Sequence, residues 1–266
     1  MHEDLEGKHG VQSLEVGMSL LKAMVGGQRA MMLKDIAAAA DMPASKAHRY
    51  LVSLIRSGLV EQDPLSSRYT LGPFALNLGL VALDRLDRVR LGLTSITELR
   101  DAINETTALA VWGGHGPVIV RWERPRRPIT VNVLTGTTLG LLSSAAGRVF
   151  AAWLPASQID PLLQQELDNG KAPAGVSTLA DAHALLAEVR ASGMAAISGS
   201  SYMVRGVEAL AAPVFNFKNE ISLTLVVVGV EGSMDLSPDS ALVSQLRQAA
   251  QALSMRMGAT LLSQPQ

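Results

Sequence analysis

The chain has 266 residues, 48% apolar and 18% charged, with 23 basic and 24 acidic side chains and no cysteine. That length suits about two domains of roughly 100 to 200 residues; the missing thiols exclude disulfides, thiolate catalysis and thiolate metal sites; a net charge of −1 excludes a uniformly basic coat but leaves room for a local basic patch. The longest apolar run, "ISLTLVVVGV" at 221–230, falls far short of the roughly 20 residues of a spanning helix, and no apolar stretch follows "MHEDLEGKHG", so a cytoplasmic protein without a membrane partner is expected.

At the N-terminus, Val11, Leu14, Met18, Leu21 and Val25 recur at helical spacing, and Gly26-Gly27 ends this first helix. "MLKDIAAAADMP" predicts a short second helix around 33–40, with Pro43 opening the third at its first helical position. That third helix lies in "MPASKAHRYLVSLIRSGLV", 42–60. It gathers Ala47, Leu51, Leu54 and Ile55 on one face and Ser45, Lys46, His48, Arg49, Ser53 and Arg56 on the other. No acidic residue lies between Pro43 and Arg56, whereas a merely solvated helix mixes both signs to gain i,i+4 pairs. Something negative is the expected partner. After Gly58, "LVEQDPLSSRYTLG" alternates around an Asp-Pro/Ser-Ser turn signal as a β-hairpin does. Three helices and a hairpin predict a winged helix-turn-helix over 1–72.

A helix that reads DNA needs small or hydrogen-bonding residues at its N-terminal end and basic residues behind them to hold phosphates. Ala44, Ser45, Lys46, His48 and Arg49 supply both. His48 stands equally as a packing or capping residue and as a base reader. At the hairpin, Ser67 and Arg68 are placed to reach a phosphate or a minor groove, against the plainer reading of an ordinary exposed charge.

Residues 73–106 turn helical again, with Leu76, Leu80, Leu83 and Leu86 leading into "DRLDRVR", where Asp84 and Arg88 stand four apart. A long linker helix region is expected. From 107 to 266 the short runs "ALAVWGG", "PVIVRWER" and "ITVNVL" read as antiparallel strands, followed by helices at about 144–153, 156–167 and 179–191. "GVEALAAPVFNF" and "EISLTLVVVGV" flank the turn "KNE" as a further hairpin, and an amphipathic helix closes the chain at roughly 238–261. The fold class is α+β. "GGHG" at 113–116 lacks the strand-G-x-G-x-x-G-helix context of a nucleotide site and reads as a hairpin turn. The two prolines of "RWERPRRP" at 121–128 favour an exposed inter-strand loop over a DNA or protein contact. The five histidines share no H-x-x-x-H or H-E-x-x-H spacing, and Ser143 and Ser144 lack a G-x-S-x-G context, so no metal, no other cofactor and no catalysis are expected.

Taken together, "VQSLEVGMSLL", "MPASKAHRYLVSLIRSGLVEQD", "RYTLGP", "LLSSAAGRVFAAWLP", "SGMAAISGSSYMVRGVEALAAPVF" and "LTLVVVG" resemble the IclR family of bacterial transcription regulators from about Val11 to Gly258. The resemblance implies an N-terminal winged helix, a linker helix and a C-terminal GAF/PAS-like domain that binds a small organic effector and helps assemble a homodimer or homotetramer. Carried over by position, it implies an effector pocket lined by Val131, Leu139, Ala145, Ala146, Ser200, Ala209, Val226 and Val228. The chain departs from the family pattern where Val226 and Val228 replace hydroxyls, Leu142 a frequent His, Arg148 a frequent Lys, and Glu208-Ala209 an Arg-Cys pair. Each swap is read as removing a polar partner from the cavity, and a buried carboxylate without partners costs several kcal/mol. The expectation is a larger, aromatic or otherwise hydrophobic acid from a catabolic pathway; Val226 and Val228 stand equally as the plain core of a central strand. Trp112, Trp122 and Arg121 could stack on or pair with a ring acid, although strand alternation lets at most one of Arg121 and Trp122 point inward. The expected function is a sequence-specific regulator that binds double-stranded operator DNA under effector control. The alternative is a small-molecule sensor or enzyme whose N-terminal helices only mediate protein contacts.

Overall fold

A computed structural model of the chain describes residues 10–84, 86–125, 134–198 and 206–260, with the backbone alone for 82–84. It falls into two units that divide between Leu86 and Asp87. The first holds α1 (Gln12–Gly26), α2 (Leu33–Ala39), α3 (Ala44–Arg56), β1 (Val60–Gln62), β2 (Tyr69–Leu71) and α4 (Pro73–Asp84). Leu20, Ile36, Ala47, Leu51, Val60 and Tyr69 form its core. Leu51 is wholly enclosed, a burial that contributes about 1.5–3 kcal/mol. The turn between α2 and α3 is closed by Asp41 in the left-handed conformation (φ 49°), with the Met42 N–H donating to Ala37 C=O at 3.0 Å and the Asp41 N–H to Ala38 C=O at 3.1 Å. That double bond pattern stops a helix abruptly and reverses the chain. Strands β1 and β2 are antiparallel, Val60 opposite Leu71. Met31 exchanges two backbone hydrogen bonds with Tyr69, at 3.1 and 2.8 Å, and so ties the hairpin to the α1–α2 connection.

Three expectations change here. Pro43 is the cap residue of α3 and Ala44 its first helical position, one place later than predicted. The apolar stripe of α1 is helical, but only Leu21 of it is buried; Val11, Leu14, Met18 and Val25 face outward while Leu20 and Met24 pack inward. The segment 73–106 also proves to be two helices. After α4 the chain breaks, and Asp87 starts α5 (Arg88–Ile103) by accepting the Arg90 N–H at 3.0 Å. Asp84 and Arg88 therefore belong to different helices, and Arg88 donates to the Ser222 hydroxyl at 3.2 Å.

The second unit adds β3 (Thr106–Trp112), β4 (Pro117–Glu123), α6 (Ala145–Trp153), α7 (Ala156–Asp168), α8 (Leu179–Ser192), β5 (Ala195–Ile197), β6 (Val207–Phe215), β7 (Ile221–Val230) and α9 (Ala241–Arg256). The strands form one antiparallel sheet in the order β4-β3-β7-β6-β5. One face, with Ala108, Ala110, Ala211 and Val226, packs under α6, backed by α7 and α8. The other, with Leu109, Leu210, Leu225 and Val227, packs on α5 and α9. Cover on both faces explains why β6 and β7 read as continuous apolar runs instead of alternating. Gly92 lets α5 lie close on β3, since a Cβ there would meet Leu109 Cδ2 at 2.7 Å. "GGHG" is the β3–β4 turn, closed by Gly113 N–H on Gly116 C=O at 2.9 Å. β5, three residues long, is too short to alternate visibly. "ITVNVL" at 129–134 lies outside the described residues except Leu134, which is in no strand. Among the described residues no helix is long and apolar enough to cross a membrane.

Candidate functional site

In the first unit the candidate surface is the outer face of α3. Ala47, Leu51 and Leu54 turn inward, and Ala44, Ser45, Lys46, His48 and Arg49 are all exposed. No acidic residue stands in the first turn, so the positive end of the helix dipole adds to Lys46 and Arg49 and favours a phosphate there. His48 is exposed. Beyond the hairpin strand β1, Asp63 builds the tip: its carboxylate accepts the Leu65 N–H and the Ser66 hydroxyl, both at 2.8 Å, and these bonds hold its pKa below the ordinary value. Ser67 sits in the left-handed region (φ 55°). Arg68 is exposed but leans back, one guanidinium nitrogen donating to Ala30 C=O at 3.1 Å. The hairpin side chain is thus oriented by the domain and not free on a tether.

In the second unit the predicted pocket residues converge on the α6 face of the sheet. Ala145 and Ala146 begin α6, which starts where the Ser144 hydroxyl accepts the Gly147 N–H at 2.9 Å. Facing them are Ala209 opposite Val228 and Ala211 opposite Val226, on paired β6 and β7. The row continues from Val226 to Ala108 on β3 and Trp122 on β4. A bulge in β4 between the pairs Leu109–Arg121 and Ala110–Ile119 keeps both Ile119 and Trp122 on this face. Arg121 is on the other side, exposed and paired with Glu123 at 3.0 Å, as alternation required. Leu139 packs at the margin of the same core. Val131 and Ser200 lie outside the described residues.

Three polar groups on this face have no hydrogen-bond partner among the described residues: the indole N–H of Trp112, the indole N–H of Trp122 and the hydroxyl of Thr224. Trp112 packs on Phe150 with ring centroids 5.7 Å apart. Thr224 is completely buried on β7, two residues before Val226 and so on its face of the strand. The sequence reading passed over it, although the same two-residue step from Val226 would have found it.

Two substitutions read as emptying the cavity of polar groups do something else. Glu208 points away from Ala209, as alternation dictates, and its carboxylate accepts the Gly232 and Met234 N–H groups at 3.1 and 2.5 Å, fastening the turn after β7. Arg148 donates from Nε to Leu142 C=O at 2.8 Å and reaches Ala196 C=O at 3.5 Å, and burial pulls its pKa below the ordinary value. Both are structural ties. Leu142 is fully buried core.

A winged helix with an acid-free exposed helix, joined to an α+β domain with a two-faced sheet, defines a DNA-binding transcriptional regulator of two parts. The IclR helix-turn-helix domain matches residues 13–64, and the bacterial transcriptional regulator IclR C-terminal domain matches 81–255. The chain belongs to the IclR family of transcriptional regulators. It is 33% identical over 262 residues to the glycerol operon regulatory protein of Streptomyces griseus, covering 94% of this chain and 97% of that one. Among solved structures it superposes on Pseudomonas aeruginosa HmgR with a TM-score of 0.83 at 40% identity, over 95% of this chain and 100% of that one. The fold is also that of an IclR homolog from Microbacterium hydrocarbonoxydans complexed with 4-hydroxybenzoate, at 20% identity, TM-score 0.54, and 93% and 100% coverage. By name, the Streptomyces griseus relative is a regulatory protein.

Proposed function

We propose that the chain is a cytoplasmic operator-binding regulator, a homodimer or homotetramer, whose C-terminal domain takes an aromatic acid as effector. Lys46 and Arg49 contact the operator, with Ser45 and His48 at base edges and Arg68 on the flanking backbone. The effector's ring lies against Ala145, Ala146 and Ala209, small buried side chains on the α6 face of the sheet. The observation that carries this reading is the trio of polar groups on this largely apolar face that have no partner among the described residues. An unsatisfied buried donor or acceptor costs about 1–3 kcal/mol, and an oxygen-bearing ring would satisfy several at once. The related homolog complexed with 4-hydroxybenzoate supports a ring acid in this fold.

The second copy covers the apolar residues that the first unit leaves outside. Val11, Leu14, Met18 and Val25 keep helical spacing yet are exposed, and so are Phe74, Leu76, Leu78, Leu80 and Val81 of α4. An amphipathic stripe with no core beneath it fits a partner surface, and two reading heads on one assembly meet two half-sites.

A thermal-shift series against paired benzoates, pyruvate-like acids and glycerol tests the effector class. A ligand at 100 times its Kd adds about 2.7 kcal/mol to the native state. Stabilisation by ring acids alone is expected. Stabilisation by pyruvate or by glycerol alone would make Val226 and Val228 plain core residues and overturn the aromatic reading.

A further inference from the structure

Apart from the apolar face, the second unit carries an open cleft of about 350 Å³ between the β3–β4 turn, the segment 138–143 and the end of α7. Ligand sites run from about 300 to 1,000 Å³, so this one suits a small molecule. Its wall is mixed: His115 from the turn, Thr138, then Gln165, Glu166, Asn169 and Lys171 bring polar groups to it, and Leu139 and Leu162 add apolar surface.

The cleft is held in shape by backbone bonds on three sides. The Leu139 N–H donates to Pro117 C=O at 2.8 Å, and Val118 bridges Thr138, which fixes the turn bearing His115 against the 138–143 segment. The Glu166 carboxylate accepts the Leu141 N–H at 2.6 Å and the Leu142 N–H at 2.9 Å, which fastens α7 to the same segment. The Lys171 N–H donates to Glu166 C=O at 2.9 Å, folding the chain after α7 back along the cleft. The Glu166 carboxylate is held in place by two N–H donors, and among the described residues Lys171 forms no ion pair. The cleft therefore has a cationic pole at Lys171 and an acceptor-only pole at Glu166, with amide and hydroxyl groups between them that both give and take hydrogen bonds.

We propose that this cleft is a second small-molecule site, distinct from the apolar face, and that it takes a polyhydroxylated carboxylic acid. The carboxylate meets Lys171 and His115. The hydroxyls exchange hydrogen bonds with Asn169, Gln165 and Thr138 and donate to the lone pairs that Glu166 does not spend on Leu141 and Leu142. Because Glu166 grips the residues that lead into α6, occupancy stiffens the 138–146 segment.

Isothermal titration of the full chain with D-gluconate, and with sorbitol as the uncharged counterpart, tests this without reference to the effector. Gluconate should saturate, with sorbitol at least tenfold weaker. Lys171→Ala should bring gluconate down to the sorbitol level, and Asn169→Ala should weaken both. Both side chains are exposed, and circular dichroism confirms that the variants fold. Hydrogen exchange should slow on gluconate binding at 138–146 and 162–171. No saturable gluconate binding, equal binding of sorbitol, affinity unchanged in both variants, or protection confined to other segments would each overturn the proposal.

Discussion

Thr224 condenses the chemistry of the C-terminal domain into one side chain. Its hydroxyl is buried without a partner among the described residues, while valine has almost the same shape and no polar group to satisfy. Thr224→Val should raise the melting temperature of the ligand-free protein, by about 2–4 °C per kcal/mol recovered in a chain of this size, and weaken binding of the ring acid. Differential scanning calorimetry with and without ligand reads both effects; a less stable variant that binds the acid as before would show that the hydroxyl has another role. Residue identity alone misleads at two nearby positions. Glu208 and Arg148 read as lost cavity partners, but which way a strand side chain points and which carbonyl a guanidinium reaches are set by packing that the sequence does not print. His48 was open in the sequence for the same reason, since either face of a helix edge accommodates an imidazole.

Among the elements, α6 depends most on close approach. A Cβ on Gly147 would run into the Gly140 carbonyl oxygen, with Leu141 Cα also only 2.6 Å away. Both are backbone atoms and cannot swing aside. Gly147→Ala should cost at least the roughly 1–3 kcal/mol typical of overpacking and shift the urea midpoint down, with an unchanged midpoint showing that the segment yields freely. Helix existence was legible from periodicity at every long helix, and the winged hairpin from its turn residues. The break between α4 and α5 was not, because the charged "DRLDRVR" fits a helix surface as well as it fits a cap, and only Asp87 bonding to Arg90 N–H distinguishes them. β5 was invisible at three residues.

For the whole molecule, the stripe on α1 carries the lesson about sequence reading. The spacing of Val11, Leu14, Met18 and Val25 correctly signals a helix with an apolar face, yet periodicity cannot say whether the surface that covers it belongs to the same chain. The single copy leaves Leu14 65% and Leu76 63% exposed. Replacing both with Glu should shift the protein toward monomer in sedimentation velocity and weaken operator binding while each copy stays folded. A dimer of unchanged stability would move the interface elsewhere. Operator binding by paired winged helices is tested most directly by footprinting the chain on the DNA upstream of its own gene at several salt concentrations. Two protected half-sites should appear, with affinity falling steeply as salt rises because phosphate contacts release counterions. Arg49→Ala should cost about 1–3 kcal/mol if it reads a base. Absence of protection at low salt, or a footprint and affinity that Arg49→Ala and added salt leave unchanged, would contradict the assignment of α3 as the reading helix.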